Sequence, residues 1–143
     1  MIRKLNFVHS TITLAIVLAF GVTTNAQASE HACSNITLNG SYSALLTGAV
    51  GGLPFVTLDL VTADGAGHLT GTSTTNVNGT VTTATIEATY AINADCSGTA
   101  TFTMPTAQTQ SLNVMLNGSS VDITRSGPAA TGTLVSGTAH RLW

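Results

Sequence analysis

Val81-Thr82-Thr83-Ala84-Thr85-Ile86-Glu87-Ala88-Thr89-Tyr90-Ala91-Ile92 decides the fold. Ala84, Ile86, Ala88, Tyr90 and Ile92 recur at every second position, with Thr83, Thr85, Glu87 and Thr89 between them. Side chains alternate between the two faces of a strand, so this segment is a strand with one buried and one wet face. Thr99-Ala100-Thr101-Phe102-Thr103-Met104 repeats the pattern, with Ala100, Phe102 and Met104 inward. Val121-Asp122-Ile123-Thr124 repeats it in miniature.

Turn chemistry separates these runs. Asn39-Gly40, Asp64-Gly65, Asn78-Gly79 and Asn117-Gly118 tolerate the positive φ of tight hairpin turns, and Gly51-Gly52 and Ser126-Gly127-Pro128 are further breaks. Reading between them gives eight strands, near 40–49, 54–63, 68–76, 80–92, 97–104, 109–117, 120–126 and 131–141. Hairpin-length links make them an antiparallel meander. The expected fold is all-β, an eight-stranded up-and-down barrel, because closure removes exposed edges; a β-sandwich of the same strands is the alternative.

The stretch Ala63-Asp64-Gly65-Ala66-Gly67-His68-Leu69-Thr70-Gly71 first resembles a metal or phosphate loop. A hard cation needs several oxygen ligands, and only Asp64 is offered. A phosphate cradle needs a following helix to present free N–H groups, and a strand follows instead. The reading is a hairpin turn at Asp64-Gly65, with Gly67 relaxing a bulge beside it.

The N-terminal residues read as an export signal. Arg3 and Lys4 precede an apolar core, Ile12–Phe20, too short to span a membrane comfortably, and Ala26-Gln27-Ala28 supplies a small-x-small cleavage pattern. A retained N-terminal anchor is the alternative. Residues 1–28 are therefore assigned to a cleaved signal peptide, leaving a single barrel domain over 29–143, 115 residues with one core. That domain keeps Arg125 and Arg141 against six carboxylates, a net charge of −4 with histidine neutral. Such a chain has no footprint for nucleic acid and none for an anionic membrane after signal cleavage. Export points to a periplasmic or extracellular address.

Cys33 and Cys96 both survive signal removal, and an oxidising compartment makes them a disulfide. A two-thiol metal or redox site is the competing reading; no CxxC motif and no clustered histidine accompanies it.

Several of these segments follow one another in a particular order. Asn39-Gly40-Ser41-Tyr42 follows a cysteine, then come Asp64-Gly65-Ala66-Gly67, Gly71-Thr72, Asn78-Gly79 and Tyr90-Ala91-Ile92-Asn93-Ala94-Asp95-Cys96-Ser97-Gly98-Thr99. From Cys33 to Thr101 the chain resembles a group of uncharacterised small exported bacterial β-barrel proteins with G-x-Y, DGxGxxxG and Y-x-[VI]-N-x-[DN]-C-x-G signatures. The resemblance implies a lipocalin-like shape and bacterial origin. It carries no catalytic residue.

Chemistry is sparse. His31, His68 and His140 follow no metal-ligand spacing, no G-x-S-x-G elbow is present, and no cofactor motif occurs. Glu87 reads as a surface carboxylate, and an interior position would make it a functional candidate. Asp59 is ambiguous, because Phe55, Thr57, Asp59 and Val61 alternate against Val56, Leu58 and Leu60. Arg125 has Asp122 and Asp59 as candidate partners. The expected inward set takes the apolar series: Val56, Leu58, Leu60, Ile86, Tyr90, Phe102, Leu112, Val114, Leu116 and Leu134. Within it, Leu58, Leu60, Ile86, Tyr90, Phe102, Leu112 and Val114 are the candidate cavity lining.

The functional expectation is an exported non-enzymatic barrel binding a small apolar ligand. The alternatives are a cavity enzyme such as an isomerase, marked by an interior Glu87 or Asp59, and an assembly or adhesion protein using an open strand edge. The sequence sets no oligomeric state.

Overall fold

The structure, a computed structural model, describes residues 32–104, 107–115, 117–126 and 131–143. The signal-peptide reading, His31 and Leu116 lie outside those residues. The strands are β1 (Asn39–Val50), β2 (Leu53–Asp64), β3 (His68–Val77), β4 (Thr80–Ile92), β5 (Ser97–Met104), β6 (Gln108–Val114), β7 (Ser120–Ser126) and β8 (Leu134–Arg141). Each pairs antiparallel with the next, and β8 pairs with β1, closing the barrel in strict sequence order. Closure fits the expected architecture and rules out the sandwich. It also leaves no free edge among the eight described strands.

The turns set the register. Gly51-Gly52 and Asn78-Gly79 are two-residue hairpins with positive φ at both positions, at 61° and 76° and at 47° and 89°. That is the conformation whose twist matches the flanking strands. The β2–β3 link is a three-residue loop, Gly65–Gly67, rather than a two-residue turn at Asp64-Gly65. Asp64 organises it: its Oδ1 accepts the backbone N–H groups of Ala66 (2.7 Å), Gly67 (2.9 Å) and His68 (2.9 Å). Asn39-Gly40 is no turn; it begins β1. Gly137 serves close strand approach, since a Cβ there would sit 2.0 Å from the Leu45 carbonyl oxygen.

Alternation sorts the side chains. Tyr42, Ala44 and Leu46 of β1, Ile86, Ala88 and Tyr90 of β4, and Val121 and Ile123 of β7 are buried in the interior. The outer face is mainly threonine and serine, which solvate a chain only 7% charged.

One strand reverses the expectation. Val56, Leu58 and Leu60 face outward, at 38%, 50% and 50% exposure, and Thr57 and Asp59 are buried. The cause is register. The two-residue turn pairs Leu46 with Thr57, Ala44 with Asp59 and Tyr42 with Val61. Residues directly opposite in an antiparallel pair share a face, so an inward Leu46 forces an inward Thr57. Leu58 instead meets Leu45 outside, where the two partly cover one another. Leu134 is likewise corrected: it is 67% exposed, and Val135, at 1%, is the inward residue of β8.

The N-terminal segment plugs one end. Cys33 and Cys96 form a disulfide, and a 3-10 turn at Asn35–Thr37 carries Leu38 into the core. One tyrosine bolts this plug down, and a second ties β1 to the β6–β7 link beside it. Tyr90 Oη donates to the Leu38 carbonyl at 2.6 Å, and Tyr42 Oη donates to the Gly118 carbonyl at 2.8 Å. Burial pushes the Tyr90 phenol pKa above its usual value. The far end carries the Gly51-Gly52 and Asn78-Gly79 turns.

Candidate functional site

The interior has two halves. Against the plug, Tyr42, Ala63, Leu69, Ala100, Leu112 and Ile123 pack so closely that only about 50 Å³ of free space remains. Toward the Gly51 end lies a cavity of about 350 Å³. Leu46, Ile86, Phe102 and Val135 form its apolar part. Thr57, Asp59, Ser73 and Thr75 form one polar group from β2 and β3, and Gln108, Gln110 and Arg125 form another from β6 and β7.

Each polar group follows from local alternation. On β7 the inward series Val121, Ile123 continues to Arg125. On β6 the inward series Val114, Leu112 runs back to Gln110 and Gln108. On β3, pairing with β4 sets Ser73 opposite Ala84 and Thr75 opposite Thr82, all inward.

The β2–β3 group is a hydrogen-bond relay. Thr57 Oγ1 lies 2.8 Å from Asp59 Oδ1, 2.8 Å from Ser73 Oγ and 2.9 Å from Thr75 Oγ1. An ionised carboxylate only accepts, so Thr57 spends its single proton on Asp59. Its lone pairs then accept from Ser73 and Thr75. Thr57 Oγ1 also lies 3.3 Å from the Thr74 carbonyl, and the Ser73 and Thr75 hydroxyls lie 3.1 Å from one another, so the four side chains form one connected polar wall ending at the carboxylate. Among the described residues no hydrogen bond reaches Asp59 Oδ2.

The β6–β7 group presents donors. Arg125 Nη1 donates to Gln108 Oε1, and its guanidinium lies over the Phe55 ring, 5.5 Å from the centroid. Arg125 Nε is buried and has no partner among the described residues. Gln110 is 6% exposed, and its side-chain amide also makes no hydrogen bond there. Burial works against the charged form of Arg125 and lowers its pKa, while the nearby Asp59 charge opposes that shift. No ion pair within 4.0 Å joins the two.

The sequence-level candidates fall in different places. Ile86 and Phe102 line the large cavity, and Leu112 lines the packed half. Tyr90 and Val114 are buried in the core but line neither space. Leu58 and Leu60 are not lining residues, since both sit on the outer wall. Glu87 is exposed on β4, as are His68 and His140 on their strands. The interior acid is Asp59, 9% exposed. Among the described residues no three histidine, cysteine or acidic side chains converge as a metal site would require.

Comparison with family models, with curated proteins and with solved structures finds no match, so the cavity is read from its own geometry.

Proposed function

We propose that this chain is an exported, non-enzymatic β-barrel that holds a small molecule in the cavity at its Gly51 end. One observation carries the reading: a cavity of about 350 Å³ inside a closed barrel, its wall bearing Arg125, whose buried Nε has no partner among the described residues, and Gln110, whose amide makes no hydrogen bond there. Buried polar groups in folded proteins are almost always satisfied, and an orphaned donor costs about 1–3 kcal/mol. A volume of this size falls at the lower end of the ~300–1,000 Å³ range that takes small molecules. The ligand is amphipathic rather than apolar, because polar side chains make up about half of the lining. Export is supported by the N-terminal signal pattern and by the Cys33–Cys96 disulfide, which persists in a non-reducing compartment.

The test is a native mass spectrum of the protein exported by its own N-terminal segment and purified without denaturant. The reading expects a discrete added mass that disappears on denaturation and is absent from the Ala84→Trp variant, whose indole fills the cavity. A bare wild-type mass at every growth condition contradicts it.

One observation favours a second reading, a cavity enzyme. Asp59 is an interior carboxylate beside open volume, the position a general base occupies. Deuterium uptake at the α-carbon of a cavity-sized ketone in D₂O, lost in Asp59→Asn, supports this reading; no uptake above the solvent rate removes it.

A further inference from the structure

We propose that the ligand is a small zwitterion, with its anionic group on Arg125 and Gln110 and its ammonium group on Asp59; this rests on the ligand-binding reading above. The argument starts from the separation of a buried carboxylate, Asp59, from a half-buried guanidinium, Arg125. Such charges attract strongly in a low-dielectric interior and pair unless something holds them apart. Here each is held by neutral groups. Arg125 is fixed by Gln108 and by the face of Phe55. Asp59 is fixed by Thr57, with Ser73 and Thr75 behind it. Phe55 and Asp59 are four residues apart on the same strand, with Thr57 facing inward between them. At ~3.3 Å per residue, their backbone positions are about 13 Å apart. The cation therefore lies toward the Gly51 end and the anion deeper, along the barrel axis.

Each charge keeps binding capacity toward the cavity. Among the described residues Arg125 Nε has no acceptor and the Gln110 amide makes no hydrogen bond. Asp59 Oδ2 has no donor among the described residues; Thr57 donates to the other oxygen, and the Ser73 and Thr75 hydroxyls contact Thr57 rather than the carboxylate. A lone anion would satisfy Arg125 and leave Asp59 uncompensated; a lone cation would do the reverse. A zwitterion supplies both counter-charges at once and brings no net charge into the barrel. Leu46, Ile86, Phe102 and Val135 line the same cavity as the two charged groups, so the linker joining the ligand's charges is apolar. The spacing favours an ω-amino acid over an α-amino acid, whose two charges share one carbon.

The experiment is isothermal titration of the exported, oxidised wild-type protein with 4-aminobutanoate, 6-aminohexanoate and 8-aminooctanoate. Hexanoate and hexylamine serve as single-charge controls. The expected result is one amino acid length binding at least about tenfold more tightly than both controls, the worth of one charge-assisted contact. Asp59→Asn, a near-isosteric change, then reduces that amino acid to the affinity of hexanoate. Hexanoate or hexylamine matching the best amino acid overturns the proposal, as does an Asp59→Asn variant that binds unchanged. If no probe binds while the native mass spectrum carries an added mass, the zwitterion is wrong and the binding function stands. If no probe binds and no mass is carried, both fail.

Discussion

Thr57→Val is the perturbation that separates this account of the cavity from its mirror reading. Valine has nearly the shape of threonine, the same β-branching and more apolar surface, so at an outward strand position the change is close to neutral. At an inward Thr57 it removes the hydroxyl that donates to Asp59 at 2.8 Å and takes contacts from Ser73 at 2.8 Å and Thr75 at 2.9 Å. The Ser73 and Thr75 hydroxyls lie 3.1 Å apart and can satisfy one another, so their loss is small. The buried carboxylate has no such replacement, and a hydrogen bond to a charged group is worth about 1.5–3 kcal/mol. The expected loss of stability is about 2 kcal/mol or slightly more, read as a lower urea midpoint at unchanged slope. In an Asp59→Leu background the same substitution costs less than about 0.5 kcal/mol, because no carboxylate is left stranded, giving a coupling of about 2 kcal/mol. A Thr57→Val protein as stable as wild type, or more stable, refutes the inward facing of β2.

Three further outcomes follow from the scaffold. Replacing Cys33 and Cys96 with serine costs about 4 kcal/mol, the loop-closure entropy for a separation of 63 residues, and releases the N-terminal plug; a loss below about 1.5 kcal/mol in urea unfolding contradicts this. Gly137→Ala places a methyl 2.0 Å from the Leu45 carbonyl oxygen and 2.7 Å from Leu46 Cα, backbone atoms that cannot rotate away. It costs at least about 2 kcal/mol, with exposed Ser136→Ala within about 0.5 kcal/mol of wild type as its control. The Asp64 carboxyl is held below its ordinary pKa of 3.8, chiefly by the His68 backbone N–H and then by that of Ala66. A lowered folded-state pKa contributes stability above the unfolded value that is lost as pH falls through the folded one. Wild type therefore weakens below about pH 4, and Asp64→Asn, less stable near neutrality, shows a shallower acid slope; parallel acid profiles rule the Asp64 loop out as a source of that dependence.

How much of this was legible in the sequence depends on which signal is followed. Strand positions and the disulfide were readable because period-two alternation and tight-turn dipeptides are local. The facing of β2 does not follow from apolarity, because Val56, Leu58 and Leu60 are its most apolar series and register turns them outward. A non-local route existed. The unambiguous face of β4 passes through the two-residue Asn78-Gly79 turn to place Ser73 and Thr75 inward, and pairing with β3 then places Thr57 and Asp59 inward. The polar half of the cavity was hidden for a related reason. Gln110, Gln108 and Arg125 simply continue the alternation of Leu112 and Ile123, but an inward series was expected to end where its apolar residues ended. The tie of the N-terminal segment across the barrel end through Cys33 and Cys96 was legible; its bolt was not, because the bond from Tyr90 to Leu38 joins residues 52 positions apart.

The central structural claim is that β2 turns its polar face into the barrel, since the cavity's chemistry and both functional proposals depend on it. Solvent paramagnetic relaxation of the leucine and isoleucine methyl groups, read by NMR with a neutral soluble gadolinium chelate, measures that facing directly. The account predicts strong relaxation at Leu45, Leu58 and Leu60 and protection at Leu46, Ile86 and Leu112. Protected Leu58 and Leu60 methyl groups would contradict it.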